Sequence, residues 1–550
     1  MLRHGWSAAG LVIAALISTP VIVVVASLFF DSGGVWQHLA ETVLATYVVN
    51  TALLALGVVA GTLLLGTGAA WAVTLCRFPG RSFFTWALLL PLAIPTYLAA
   101  YSYTDLLQFS GPVQTWLRTT FGWQRGDYWF PEVRSLPGAI ALFSLVLYPY
   151  VYLAARAAFL EQSVCVLEAS RTLGLNPRRS FFRVALPLAR PSLAAGASLV
   201  LMESVAEFGA VDYCAVDTFA TGIYRTWMSR GSVTAAAQLA ACLLGFVAVA
   251  IALEQFSRRS ARHYHPTYRY RVLPGWPLRG WRAAAVMAGC GMPVVFGFVV
   301  PAAVFVWMTW RGGDPRAREL FWELGKNTFL LAAISSLLAV ALALVIAYGK
   351  RLWPARVMRA AAGIAVLGYA IPGGVIAVGI LIPAIWLDHR LADVRDRLFG
   401  GTSGLVITGT VGALILGYQV RFMAVSLNVI NAGLTRIRTT LDDAARTLGA
   451  SRSRMLARVH APLLRTSLLS AALLVFVDVI KELPATLLLR PFDFDTLAVR
   501  VHQLASDERL PEASTGGLAI ILVGLIPVYL LSRAINRSRP GAAVQEEIRI

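Results

Sequence analysis

The sequence predicts an all-α integral membrane protein of about twelve transmembrane helices, arranged as two parallel repeats of six. Hydrophobic residues make up 57% of the 550 residues and charged residues 14%, against roughly 45–50% and about 25% in soluble globular proteins. A soluble chain of this length cannot hide so much apolar surface, so a bilayer must cover it. The composition excludes a soluble enzyme, a disordered chain and a secreted disulfide scaffold.

Apolar runs long enough to cross a bilayer recur along the whole chain. A helix needs about twenty apolar residues for one crossing, and backbone groups cannot stay unpaired in lipid, so these runs are helices. The first run, Leu11–Phe30, is longer than a cleavable signal core and has no small-residue cleavage site, so it is a retained span. The expected spans are residues 8–30, 47–75, 83–107, 136–160, 188–208, 233–256, 283–308, 327–349, 359–387, 403–430, 466–489 and 513–534.

The charge distribution predicts the orientation of the chain. With the N-terminus inside, the six outer loops hold 15 basic and 20 acidic residues, whereas the other 33 basic residues lie almost entirely in the inner loops and tails, and only nine acids remain outside the outer loops. Basic residues accumulate on the cytoplasmic side of membrane proteins, so both termini are predicted to be cytoplasmic. The linker Ser257–Arg282 carries seven arginines and no acid. Beside a membrane span this cluster indicates topology rather than nucleic-acid binding.

An internal repeat divides the chain at its middle. Glu168–Gly196 aligns with Asp443–Ala471 without gaps at an offset of 275, with 13 identities in 29 positions. An even number of spans per half keeps both halves in the same orientation, which makes the repeat parallel rather than inverted. We therefore predict a first repeat at 1–256, a basic cytoplasmic linker at 257–282 and a second repeat at 283–550. Weaker echoes pair Asn50-Thr51 with Asn327-Thr328, Ile94-Pro95 with Ile371-Pro372, and Phe219-Ala220-Thr221 with Phe494-Asp495-Thr496.

The best-preserved part of the repeat falls in an inner loop, between the fourth and fifth span of each half. Its residues predict a short helix that ends at a glycine, because glycine readily takes the left-handed conformation of a C-terminal cap. Two such helices related by a pseudo-twofold axis suit a partner with twofold symmetry. We call these stretches the first and second coupling segments; they comprise Glu168, Ala169, Ser170 and Gly174, and Asp443, Ala444, Ala445 and Gly449.

These two segments resemble the E-A-A---G motif of permeases in type I binding-protein-dependent ABC importers. The departures, Ser170 for Ala and Asp443 for Glu, are mild. The resemblance covers essentially the whole chain, as two permease repeats fused in one polypeptide. It implies that each coupling segment docks on one subunit of an ABC ATPase dimer on the cytoplasmic side, and that a periplasmic solute-binding protein docks outside, in the bacterial inner membrane.

No phosphate-binding loop occurs in the chain. Neither Lys326 nor Lys350 stands in a G-x-x-x-x-G-K-[ST] sequence. We therefore expect that this chain has no catalytic residue and binds no cofactor, and that separate subunits use ATP and Mg²⁺. Lipid is its environment, and no nucleic-acid partner is expected.

Acidic residues in the fifth span of each half are candidates for a substrate pathway. Glu203 and Glu207 align with Asp478 and Glu482, and an i,i+4 spacing would put each pair on one helix face. Counted from the start of the span near Pro187, Glu203 would lie about 24 Å along the helix axis, toward the outer side. Carboxylates suit a hard cation. Two alternatives are equally open: the acids lie at the outer membrane interface, or Lys481 pairs with Glu482 in a structural role. No metal ligands are assigned.

The substrate is suggested by resemblance alone. Lys481–Val499, with Glu207–Ala210 and Tyr224–Trp227 in the first half, is similar to the ferric-iron branch of fused permeases. The expected function is therefore ferric-iron import from the periplasm by alternating access, with thiamine or a phosphonate as alternatives. A major-facilitator-type secondary transporter has the same span count, but its G-x-x-x-D-R-x-G-R-R loop is absent from Cys76–Arg81.

Overall fold

The computed structural model describes residues 2–124, 126–161, 177–259, 276–314, 317–353, 356–399, 407–435 and 437–537. Within those ranges nearly all regular structure is helical. The exception is one short parallel pairing of β1, Cys76–Arg77, with β2, Trp276–Pro277, in the register Cys76 to Trp276. This pairing attaches the C-terminal end of the basic linker to the end of the second span.

Twenty-four helices make up the described chain. They are α1 Leu2–Ala26, α2 Val35–Thr42, α3 Leu44–Leu75, α4 Arg81–Ala87, α5 Thr96–Leu107, α6 Pro112–Phe121, α7 Leu136–Glu161, α8 Pro177–Ser180, α9 Leu186–Ala206, α10 Gly209–Tyr213, α11 Phe219–Met228, α12 Val233–Arg259, α13 Trp281–Val294, α14 Val300–Gly312, α15 Ala317–Leu352, α16 Arg356–Leu367, α17 Gly373–Phe399, α18 Val411–Thr435, α19 Thr440–Thr447, α20 Arg452–Met455, α21 Ala461–Lys481, α22 Pro484–Leu489, α23 Leu497–Ser506 and α24 Leu510–Arg537.

The expected span count is confirmed. Eleven helical stretches of the described residues are long and apolar enough to cross a membrane, and a bent pair, Arg81–Ala93 with Thr96–Phe121, brings the number to twelve. Each corresponds to one expected run. The ninth and eleventh spans differ from the expected runs 359–387 and 466–489, because the spanning helices are Gly373–Arg397 and Arg452–Lys481.

The third span of each repeat is broken at the same dipeptide. The two parts of the first-repeat span meet at 89°, and the break falls at Ile94, whose backbone is extended, before Pro95. In the second repeat Ile371 is extended as well, and α17 starts just after Pro372. A residue that precedes proline is pushed out of the helical region. The Ile-Pro echo in the sequence thus encodes a repeated break rather than a smooth kink.

The structure groups residues into two compact units that differ from the two sequence repeats. One unit comprises 43–221, 245–315 and 502–550, and the other comprises 1–42, 222–244 and 316–501. Each unit thus takes its central spans from one repeat and a first span from the other. The repeat boundaries at 256 and 283 remain a prediction about the sequence.

Inside each unit the second, fourth and fifth spans of one repeat pack against one another. These are α3, α7 and α9 in one unit, and α15, α18 and α21 in the other. The first helix, α1, packs on α16 and α17, in the unit built on the second repeat. Its end is held there by Gln238, whose Nε2 donates to the carbonyls of Ser27 at 3.3 Å and Phe30 at 2.8 Å.

A threonine of the second span accepts a hydrogen bond from the start of a short helix in each repeat. The Oγ1 of Thr51 accepts from the N–H of Phe219 at 3.2 Å, and that of Thr328 accepts from Leu497 at 2.9 Å. This contact explains the Asn-Thr echo. It also corrects the third echo: Phe219 is the structural equivalent of Leu497, not of Phe494, so the matched stretches are 217–220 and 495–498.

Close packing of α1 on α17 leads to a stability prediction. A Cβ added to Gly379 would stand 2.7 Å from the Cα of Pro20, whereas one added to Gly363 would meet nothing within 4 Å. Overpacking of backbone against backbone costs about 1–3 kcal/mol. We therefore expect Gly379→Ala to lower the melting temperature of the purified chain and Gly363→Ala to leave it unchanged or raise it. Equal melting temperatures for both variants would contradict the packing of α1 on α17.

Candidate functional site

The site is built on the second coupling segment, because the first one, with Glu168, Ala169, Ser170 and Gly174, lies outside the described residues. The second segment forms α19, whose first turn contains Asp442 and Asp443. Acidic side chains are favourable there because the N-terminus of a helix carries partial positive charge.

Gly449 ends the helix as the sequence predicts. Its φ is +74°, a left-handed conformation that is costly for residues with a Cβ. The N–H of Ala450 donates to the carbonyl of Ala445 at 3.0 Å, and the N–H of Gly449 donates to that of Arg446 at 3.0 Å. These are the two hydrogen bonds of a Schellman cap, which satisfies the last carbonyls of the helix.

A buried ion-pair network holds the inner face of α19. The carboxylate of Asp442 accepts from Nε and Nη2 of Arg351, at 2.9 and 3.0 Å, and lies 2.8 Å from Nε2 of His460. Arg351 also donates to the carbonyls of Leu434 at 2.6 Å and Ile437 at 3.0 Å. A bidentate arginine–carboxylate pair fixes orientation as well as distance. The network therefore links the segment to α15, to the end of α18 and to the turn before α21.

A small hydrophobic cluster supports the network. Tyr348 packs with Ala445 and Met455, lies 5.3 Å from the ring of His460 between centroids, and donates its hydroxyl to the carbonyl of Arg452 at 3.1 Å. Ala445, the third residue of the motif, is therefore small because it faces this cluster.

The outer face of α19 is exposed. Asp443, Ala444 and Arg446 are all exposed, and Leu448 is 86% exposed. Asp443 forms an i,i+3 ion pair with Arg446 at 3.4 Å, which surface screening makes weak. A short rigid helix thus presents an acid, a base and an apolar side chain to a partner.

Both repeats enter the fifth span through the same irregular turn. A π-helical turn covers Phe181–Ala185 in the first repeat and Leu456–His460 in the second. These turns are at the offset of 275. Such turns are rare and concentrate at functional sites, so the shared geometry supports equivalent roles for the two loops.

The surroundings of Asp442 predict a pH dependence. Burial tends to raise the pKa of its carboxyl, but hydrogen bonds from Arg351 and His460 outweigh this and leave the pKa lowered. A lowered native pKa gives stability that is complete above the usual aspartate pKa of about 3.9 and is lost as the pH falls through the native pKa. We expect a fluorescent probe at position 448 to gain mobility as the pH falls into that range. In Asp442→Asn the probe's mobility should not change with pH, and the same pH response there would contradict the assignment.

Glu482 is the best-connected acid of the candidate pathway. It is 5% exposed, and its carboxylate accepts from the N–H groups of Ala485 and Thr486, both at 2.9 Å, and from the Thr486 hydroxyl at 2.6 Å. Arg421 approaches it at 3.8 Å. The side chain caps the N-terminus of α22, which follows the break after the fifth span. Glu207 makes a weaker version of the same contact, to the N–H of Ala210 at 3.2 Å.

The second acid of each expected i,i+4 pair stands where the fifth span ends. The spans end at Ala206 and Lys481, and Glu207 and Glu482 follow them with extended ψ angles. A helix face shared with Glu203 and Asp478 stays a prediction. Lys481 lies 3.9 Å from Asp478, and its alternative pairing with Glu482 also stays a prediction.

A pathway role for these acids remains a prediction. Glu203 lies half-buried within α9, and Asp478 is half-buried within α21. Among the described residues no group of three or more His, Cys, Asp and Glu side chains has a geometry that could hold a metal ion.

Three residues of the network lay outside the sequence-based candidates. Asp442 stands one position before the motif, Arg351 ends the eighth span, and His460 follows the motif by eleven residues. The sequence contains a signal for this network, because an acid and a histidine flank the motif in the second repeat but not in the first. Their distance from Arg351 in the sequence hid the contact.

Eleven or twelve candidate spans among the described residues, with a short exposed helix between the fourth and fifth span of the second repeat, are features of a multi-pass membrane permease subunit. The family model of the binding-protein-dependent transport system inner membrane component matches residues 62–263 and 339–539. The chain belongs to this family, the permease subunits of ABC importers in bacterial inner membranes. The two matches support the internal duplication.

Two ferric permeases align with most of this chain. The chain is 24% identical to the Fe(3+)-transport system permease protein FbpB 2 of Haemophilus influenzae, over 89% of this chain and 90% of the relative. It is also 24% identical to the ferric transport system permease protein FbpB of Actinobacillus pleuropneumoniae, over 86% and 69%. A sulfate transport system permease protein, CysT of Escherichia coli, is 32% identical, but over 26% of this chain.

Proposed function

We propose that this chain is the transmembrane permease of an ATP-driven importer that moves ferric iron from the periplasm to the cytoplasm. The observation that carries the proposal is the second coupling segment: a rigid helix, capped at Gly449 and anchored by Asp442, with its outer face exposed. A permease that only opened a pore would not need such a helix. Family membership and the full-length ferric permeases support the substrate.

The chain's own part is to bind and transmit. ATP and Mg²⁺ would be held by a separate ATPase dimer on the cytoplasmic side, one subunit on each coupling segment, and a periplasmic solute-binding protein would deliver the substrate. Closure of the ATPase dimer would move both segments and switch the spans between inward and outward access. Both termini would be cytoplasmic, because the basic residues concentrate in the loops on that side.

The four acids at the fifth spans occupy two kinds of position. Glu207 and Glu482 cap short helices, while Glu203 and Asp478 stand within the span. A ferric ion that passes this level would meet oxygen ligands, which hard cations prefer. We propose the pathway role for all four residues.

Reconstitution tests the proposal. The full chain in lipid nanodiscs, with its ATPase and its binding protein, is expected to hydrolyse ATP faster when the binding protein carries Fe³⁺ than when it is empty. Binding protein loaded with thiamine, a phosphonate or sulfate should give no stimulation. Stimulation by one of those ligands instead would replace the substrate and keep the importer. ATP-independent, proton-driven uptake would overturn the importer itself.

A further inference from the structure

The network around Asp442 joins elements that a coupling segment must move. Arg351 stands at the end of α15, His460 stands at the start of the fifth span, and Arg351 also donates to the carbonyl of Leu434 in the last turn of α18. Two of the three spans that pack on one another inside this unit therefore contact the Asp442 carboxylate directly, and α18 is joined to it through Arg351. A displacement of α19 must therefore carry Arg351 and His460 with it or break the buried contacts of Asp442.

The strength of these contacts makes the link stiff. The side chains of Arg351, Asp442 and His460 are 11%, 7% and 0% exposed. Separating a buried pair leaves an uncompensated charge, which is strongly unfavourable. Exposed ion pairs such as Asp443 with Arg446 carry no comparable penalty. Asp442, on the inner face of α19, is thus suited to transmit movement, whereas Asp443, on the exposed face, is suited to contact a partner.

The first repeat has no such residues at the aligned positions. Offsets of 275 and 277 place Leu167, Ala185 and Thr74 where the second repeat has Asp442, His460 and Arg351. Trp71 stands at the position of Tyr348, and it packs against Phe159 and Phe181, with centroids at 5.7 and 4.6 Å. Leu167 lies outside the described residues. In the described part of the aligned site, Nε and Nη2 of Arg81 donate to the carbonyls of Val73 and Thr74 at 2.6 and 3.1 Å, so different residues occupy the place of the network.

We propose that Asp442 is a positioning residue that transmits movement of the second coupling segment to α15 and α21, and that the two ATPase docking sites of this chain are consequently not equivalent. This inference rests on the proposed function. It assigns a division of labour within one chain, because the second repeat has the ion pairs of Asp442, whereas the sequence of the first repeat has Leu167 and Ala185 at the positions of Asp442 and His460.

The test separates docking from transmission. Full-length variants in nanodiscs are titrated with the ATPase, and hydrolysis stimulated by Fe³⁺-loaded binding protein is measured. Asp442→Asn should lower the maximal stimulation about tenfold, within the usual range of coupling between sites, while the ATPase concentration for half-maximal effect stays unchanged. Asp443→Asn, on the exposed face, should instead raise that concentration. Asp442→Glu should restore most of the maximum, because a carboxylate still reaches Arg351.

Further variants guard against simple misfolding. Glu512→Gln removes the acid of an exposed ion pair with Arg509 and should match the wild type. Adding Asp442→Asn to Arg351→Gln should not lower the maximal stimulation further, because both changes break the same ion pair.

The inference would be overturned if Asp442→Asn kept the maximal stimulation within about twofold of the wild type. It would also be overturned if Asp442→Glu failed to restore that maximum. An unstimulated wild-type chain would instead refute the proposed function.

Discussion

Gly449→Val is expected to abolish most transport while the chain still inserts into the membrane. The φ of +74° at Gly449 costs about 1–2 kcal/mol for a residue with a Cβ, and a branched side chain is worse. The Schellman cap would open, and the end of the second coupling segment would lose its fixed geometry. We expect substrate-stimulated ATP hydrolysis to fall about tenfold or more. Adding the same change at Gly174 should remove the remainder.

A matched glycine provides the control. Gly409 has a φ of +76° and, like Gly449, open space around the position of a Cβ. Gly409→Val therefore introduces the same backbone strain in a loop away from the segment and should leave coupling intact. Gly449→Asn should be mild, because asparagine tolerates the left-handed region. Normal transport in the double Gly174 and Gly449 variant would remove the coupling role.

Glu482→Gln is expected to impair both stability and cation uptake. The carboxylate of Glu482 satisfies two backbone N–H groups and a hydroxyl in a buried site. The side-chain amide of a glutamine would place its NH₂ group, itself a donor, opposite one of these donors. Leaving a buried donor unpaired costs about 1–3 kcal/mol, so the melting temperature should drop measurably. Glu207→Gln should have a smaller effect, because the hydrogen bond from the N–H of Ala210 to Glu207, at 3.2 Å, is longer than those at Glu482.

Comparison of the two readouts distinguishes capping from ion conduction. If Glu482 only caps α22, uptake per folded molecule stays at the wild-type level in Glu482→Gln. If it also contacts the cation, uptake falls further than the amount of folded chain. Glu203→Gln is the companion variant, because Glu203 lies inside α9 and its loss leaves the cap untouched. Unchanged uptake in all the acid variants would remove these residues from the pathway.

Local patterns predicted the membrane spans and the ends of the second coupling segment. Apolar runs of about twenty residues leave few alternatives in lipid, because backbone hydrogen bonds must close within the segment. Glycine at position 449 and proline at position 372 act on their immediate neighbours, so their effects can be predicted from the sequence. The two π-helical turns at the repeat offset show that both halves enter the fifth span in the same way.

Contacts between distant residues were decided by tertiary structure alone. An i,i+4 pattern assumes a continuous helix, and only the fold showed that the fifth spans end before Glu207 and Glu482. Arg351 and Asp442 are 91 residues apart, so no local pattern could join them. The exchange of first spans between the units has the same cause, because hydropathy specifies which helices enter the bilayer but not their neighbours. By itself, the sequence determined a twelve-span, two-repeat permease with a glycine-capped coupling motif; packing decided which helices form each unit and which acid anchors the motif.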